Sequence, residues 1–119
     1  MKVLAFEDSY DIEQILVSGN IDFNKIELTQ YWNSSDAQKK IEAYMPDILL
    51  LDHYMPPDTG LQVLKELNLN VENGTVTRPN KVVGMSTSSS ANEQMLKSGA
   101  DYIINKFSIS ELEFWPKLN

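Results

Sequence analysis

The chain has no cysteine in its 119 residues, which excludes disulfides, thiolate metal sites and a cysteine nucleophile and fits a reducing cytoplasm. Its single histidine is His53. No apolar run approaches the roughly 20 residues needed to span a bilayer. Only four apolar residues lie between Lys2 and Glu7, too little for a secretory signal, so neither membrane association nor export is expected. Basic residues are also scarce: 10 Lys and Arg face 17 Asp and Glu, a net charge of -7 with no local basic cluster. Without such a cluster, counterion release has no purchase, and direct nucleic-acid binding is not expected. Acidity spread over a surface only solubilises it; it gains chemical meaning where acids gather at one spot.

What is present is enough for one hydrophobic core. With 42% hydrophobic residues in 119, the expectation is a single domain over residues 1–119. Short apolar runs at Val3–Phe6, Ile26–Leu28, Ile48–Leu51, Val82–Met85 and Tyr102–Ile104 have strand length, and three of the five read as buried on both faces. Helical spacing links Ile12/Ile15/Leu16, Ala37/Ile41/Tyr44/Met45, Leu61/Leu64/Leu67 and Ala91/Met95, stacking apolar groups on one side. Ser108 and Glu111 have capping-box spacing and predict a fifth helix cut short by Pro116. The Asn-rich stretch 68–80, with Gly74 and Pro79, reads as a polar loop. Strands alternating with helices build a parallel sheet, so the fold class is doubly wound α/β.

Such sheets bind ligands at the carboxyl ends of their strands. Those ends carry Glu7-Asp8, Asp52, Ser86-Thr87 and Asn105-Lys106. Crowded carboxylates resist ionising unless a cation offsets them, and hard oxygen donors suit Mg²⁺ or Mn²⁺. A carboxylate flanked by a dication and the Lys106 ammonium is suited to phosphoryl transfer. Taken singly, each residue has a commonplace role. Asp52 is a possible turn former, Glu7 and Asp8 a helix-terminus charge pair, Ser86 or Thr87 a cap, and Lys106 a solvated lysine. Their falling together on one rim is what favours chemistry.

The motifs Phe6-Glu7-Asp8-Ser9, Pro46-Asp47 through Asp52-His-Tyr-Met55-Pro56 to Gly60, Val-Val-Gly-Met-Ser86 and Gly99-Ala100-Asp101 to Lys106 resemble those of response-regulator receiver domains, over residues 2 to 115. The resemblance implies a flavodoxin-like five-stranded parallel sheet of order 2-1-3-4-5 with helices on both faces. It implies that Asp52 accepts a phosphoryl group from a phosphohistidine donor. Mg²⁺ (or Mn²⁺) would be held by Asp8, Asp52 and the Tyr54 carbonyl, with Glu7 acting through water. Ser86 would hydrogen-bond a phosphoryl oxygen and Lys106 would pair with it. The partners implied are a sensor histidine kinase or phosphotransfer protein and a downstream protein target. The chain would be a stand-alone receiver that catalyses only its own phosphorylation and dephosphorylation.

Some positions depart from the family's pattern. Phe107 stands where proline usually follows the lysine, so no cis bond is expected there. The interval from Ser86 to Lys106 is about two residues short, which with Ser88-Ser89-Ser90 predicts an abbreviated fourth helix. The aromatic usual on strand five falls at Ile103, beside Tyr102. Tyr10 and Ile12 lie where the family docks its kinase, as recognition or packing residues. His53 is expected to point away from Asp52, and Trp32 and Trp115 are read as core or edge packing. Two rival readings remain: a phosphorylation-independent interaction module and a small metal-dependent phosphatase. The second is disfavoured because the usual second aspartate is here Tyr54.

Overall fold

The computed structural model describes residues 1–119. Seven strands form: β1 (Lys2–Phe6), β2 (Glu27–Tyr31), β3 (Ile48–Leu51), β4 (Tyr54–Met55), β5 (Asp58–Thr59), β6 (Lys81–Gly84) and β7 (Tyr102–Ile103). Five of them make one parallel sheet in the order β2-β1-β3-β6-β7, while β4 and β5 form a separate antiparallel hairpin. Setting the hairpin aside, this is the expected 2-1-3-4-5 arrangement. Phe6 lies opposite both Tyr31 and Leu51, Leu51 opposite Gly84, and Gly84 opposite Ile103. The strands therefore finish level, and whatever follows each one emerges on the same rim.

Helices α1 (Ile12–Ser18), α2 (Ala37–Tyr44), α3 (Gly60–Glu72) and α4 (Ser89–Lys97) supply the connections. Side chains alternate across each strand, so two cores arise. Leu4, Phe6, Leu49, Leu51 and Val82 pack with Ile41, Leu64, Leu67 and Met95. On the other face Val3, Ala5, Ile48, Leu50 and Val83 pack with Ile12, Leu16, Ile109 and Trp115. Strands β1, β3 and β6 are covered on both faces, as the unbroken apolar runs require. No helix is long and apolar enough to cross a membrane.

Two sequence-based expectations are corrected. Helix α3 runs through Glu72, so the loop is only residues 73–80. Val63, Leu64 and Leu67 form one buried stripe that the partly buried Val71 continues, and that burial outweighs the weak helix propensity of asparagine. The fifth helix is instead a 3-10 turn, Lys106–Glu111, capped by Asn105 rather than Ser108. The Trp115 indole donates to the Ile109 carbonyl at 2.7 Å. The tail then pairs with residues 20–22, through Asp22 N to Pro116 O at 2.8 Å and Leu118 N to Asn20 O at 2.9 Å. That tie turns the chain before an α-helix can extend. Helix α4 is nine residues long and capped by Ser88; it is longer than α1 and α2, so the abbreviation expected from the shortened interval does not single it out. The one cis peptide joins Pro56 and Pro57.

Candidate functional site

Because the strands end level, Glu7, Asp8, Asp52, Ser86 and Lys106 rise from one rim of the sheet. Backbone bonds extend the register just past the strands: Glu7 N to Tyr31 O at 3.1 Å, Asp52 N to Phe6 O at 3.0 Å and Met85 N to Leu51 O at 2.9 Å. Helix α3 starts directly against the Asp52 backbone. A Cβ on Gly60 would lie 1.9 Å from the Asp52 carbonyl oxygen, so only glycine fits there.

One carboxylate oxygen from each of Glu7, Asp8 and Asp52 can be taken so that all three lie within 4.8 Å of one another. Glu7 is fully buried and Asp52 nearly so, whereas Asp8 is exposed. The Lys106 ammonium, itself buried, donates to Glu7 Oε1 at 2.6 Å and lies 3.3 Å from Asp52 Oδ2. The other Glu7 oxygen accepts from the Ser9 and Tyr10 amides, each at 2.9 Å.

These contacts divide the charge unequally. Burial pushes Asp52 up to about 6, helped by the neighbouring Glu7 carboxylate and only partly offset by the His53 amide and Lys106. Burial also acts to raise Glu7, but the Lys106 bond and the two amides outweigh it and hold the carboxyl below its ordinary value. For Lys106, burial opposes the charge, yet Glu7 and Asp52 more than restore it and raise the ammonium's pKa. The buried pair therefore keeps its reluctant proton on Asp52. Three oxygen donors, one of them held back from ionising mainly by its burial, fit a hard divalent cation.

Other predicted residues divide. Ser86 is buried; its hydroxyl accepts from the Ser88 amide at 3.0 Å, leaving the hydroxyl proton free to donate. Tyr54 is 68% exposed, and its ring stands edge-on to His53 with centroids 4.7 Å apart. His53 has a buried Nδ1 without a hydrogen-bond partner. Tyr10 and Ile12 separate: Ile12 is core, while the half-exposed Tyr10 packs edge-on to Phe107 at 4.9 Å. Trp115 is buried as expected, whereas Trp32, 50% exposed, is not a core residue. It directly follows β2, the edge strand of the sheet.

Two residues escaped the sequence reading. Gln30 of β2 donates to the Glu7 and Tyr10 carbonyls, at 3.1 and 2.8 Å, and accepts from the Ile12 amide at 2.9 Å. It thus clamps the loop that carries Asp8. Asn92, 5% exposed, bonds both the backbone N–H and the carbonyl of Ser86. Each left a faint signal: Gln30 shares a strand face with the core-facing Leu28, and Asn92 interrupts the buried stripe of Ala91 and Met95.

The family model of the response regulator receiver domain matches residues 3–113. The chain belongs to this family. The receiver is 29% identical over 113 residues to the transcriptional regulatory protein KdpE of Staphylococcus aureus, covering 93% of this chain and 46% of that protein. It therefore spans about half the length of that relative. The receiver domain of Francisella response regulator 1452 is 27% identical with a TM-score of 0.67, covering 92% of this chain and 88% of that one. A DNA-binding response regulator of the LuxR family from S. aureus is 26% identical at a TM-score of 0.67, with 92% and 90% covered. The phosphorylated cyanobacterial phytochrome response regulator RcpA shares the fold at 19% identity and a TM-score of 0.71, with 92% and 88% covered. The receiver is thus of the kind found in response regulators of two-component signalling.

Proposed function

We propose that Asp52 of this receiver takes a phosphoryl group from a phosphohistidine donor and that the resulting charge switches protein contacts. The observation that carries this reading is Lys106, buried and held by Glu7 at 2.6 Å while it stands 3.3 Å from Asp52. Asp8 and Asp52 carboxylate oxygens and the Tyr54 carbonyl would hold Mg²⁺ or Mn²⁺, with Glu7 acting through water. The ion would supply positive charge that favours the ionised form of Asp52 and would offset the charge of the phosphoryl oxygens.

The chain's own residues do the rest. An ionised Asp52 oxygen attacks phosphorus; the O–P bond forms as the donor's P–N bond breaks, and the electron pair stays on the imidazole, which takes up a proton. Lys106 faces the incoming oxygens, and the unspent Ser86 proton is donated to one of them. Hydrolysis of the acyl phosphate returns Asp52. The substrate is the receiver itself, with no external turnover. The proposed partners are a histidine kinase or phosphotransfer protein and a downstream protein. The acidic surface supports neither direct nucleic-acid nor membrane contact. Residues 1–119 acting as one domain in the cytoplasm complete the proposal.

Incubation with acetyl phosphate and Mg²⁺ should add one base-labile phosphoryl group, lost in Asp52→Asn; an undiminished label in that variant moves the site elsewhere. A second reading, a phosphorylation-independent interaction module, draws on Lys106 already engaging both buried carboxylates. Beryllofluoride binding that needs both Mg²⁺ and Asp52 decides against it.

A further inference from the structure

Asn92 lies on the first turns of α4, yet its side chain is 5% exposed and turned into the sheet rim. Its Oδ1 accepts from Ser86 N at 2.9 Å, and its Nδ2 donates to Ser86 O at 2.9 Å and to Ile104 O at 3.2 Å. The amide orientation is fixed by its partners, since one N–H and two carbonyls admit only one placement of oxygen and nitrogen. Ile104 itself extends β7, donating to Gly84 O at 2.9 Å. Two residues later the chain reaches Lys106. One buried amide therefore holds the backbone of both segments that bring an anion-facing group to Asp52: the Ser86 hydroxyl with its free proton, and the Lys106 ammonium.

We propose that Asn92 is a positioning residue that sets the spacing between the Ser86 hydroxyl and the Lys106 ammonium, and so determines how tightly the pocket holds a phosphoryl group on Asp52. The inference rests on the phosphoacceptor reading above. Its physical basis is that both groups lie beyond the strand ends, Ser86 on an irregular stretch and Lys106 at the very start of the 3-10 turn, where the sheet ladder no longer fixes them. Side-chain bonds must do so instead. Asn92 touches none of Glu7, Asp8 or Asp52 through a hydrogen bond, so the cation site and the anion site respond differently to its loss.

The test uses the full chain and two probes, Mg²⁺ alone and Mg²⁺ with beryllofluoride, each followed by calorimetric titration. Asn92→Ala removes all three bonds; Asn92→Asp keeps the acceptor for Ser86 N–H but turns both donors into acceptors. Both should bind Mg²⁺ within about twofold of wild type. Beryllofluoride affinity should fall about tenfold, the worth of one well-placed hydrogen bond to a charged group. Asn68→Ala is the control. Asn68 Nδ2 donates to Ser98 O at 2.7 Å, at the far end of α4, so this change loosens the helix and should leave beryllofluoride affinity unchanged. Wild-type affinity for beryllofluoride in both Asn92 variants overturns the proposal. So does parallel loss of Mg²⁺ and beryllofluoride binding, which marks a purely structural amide. A wild-type chain that binds no beryllofluoride through Asp52 overturns the phosphoacceptor reading itself.

Discussion

Lys106 donates to Glu7 at 2.6 Å across 99 residues of chain, joining the loop after β7 to the end of β1. Neither group is left to water, so the pair binds the two ends of the sequence together at the rim. Its value lies in mutual need: removing one partner strands the other as a buried, uncompensated charge.

Lys106→Ala should therefore destabilise the metal-free protein by about 3 to 5 kcal/mol at neutral pH, far more than loss of a surface lysine. Mg²⁺ should return part of that loss by supplying charge near Glu7 and Asp52. Urea unfolding with and without Mg²⁺ checks both statements. A change under about 1 kcal/mol would mean the ion pair is not formed in solution.

Asp52, pushed up to about 6, keeps its proton in the folded state after the unfolded chain has lost it. Stability from this group is complete below the unfolded value near 4 and is lost as pH rises through about 6, a loss on the order of 2 to 3 kcal/mol. Glu7, held below its ordinary value, works oppositely and gives up stability only at more acid pH. Metal-free unfolding temperature should thus peak between about pH 4 and 5, where the two groups balance, and decline as the pH rises through about 6. Mg²⁺ should flatten that decline, and Asp52→Asn should abolish it. A flat metal-free profile in wild type would contradict the assignment of the proton to Asp52.

Gln30→Ala deletes three bonds to the loop between β1 and α1. Partial water replacement limits the cost to about 1 to 3 kcal/mol, but Asp8 loses its fixed approach, so Mg²⁺ affinity should drop several-fold. Calorimetric titration reads this directly; unchanged affinity would show that the loop holds its shape alone.

Gly60→Ala would force a methyl to within 1.9 Å of the Asp52 carbonyl oxygen. The start of α3 must move, costing about 1 to 3 kcal/mol or more and disturbing the phosphoacceptor's backbone. Reduced labelling together with a lower unfolding temperature is expected, and normal values for both would show that the helix start shifts freely.

The sheet and the carboxylate rim were legible because both depend on where apolar runs stop. Val3–Phe6, Ile48–Leu51 and Val82–Met85 end on charged or hydroxyl residues, and parallel pairing then aligns those ends. The 3-10 turn at Lys106–Glu111 was not legible, since Ser108 and Glu111 have helix-start spacing while the deciding contacts, Trp115 with Ile109 and Pro116 with Asp22, come from the tail. The extent of α3 was obscured by asparagines whose neighbours are buried. Gln30 and Asn92 went unread because a polar residue on a buried face declares its presence but not its partner. The Glu7–Lys106 bond likewise depends on packing that brings two distant segments together.

The two tryptophans occupy opposite settings, Trp115 at 4% exposure with its indole bonded to Ile109 O and Trp32 at 50% exposure just beyond β2. A buried indole emits at shorter wavelength than a wet one, so the chain's intrinsic fluorescence has two separable components. Unfolding moves the blue component, whereas a partner that covers the end of β2 moves the red one and leaves the blue in place. The protein thus carries its own label for telling occupancy of the rim from loss of the fold.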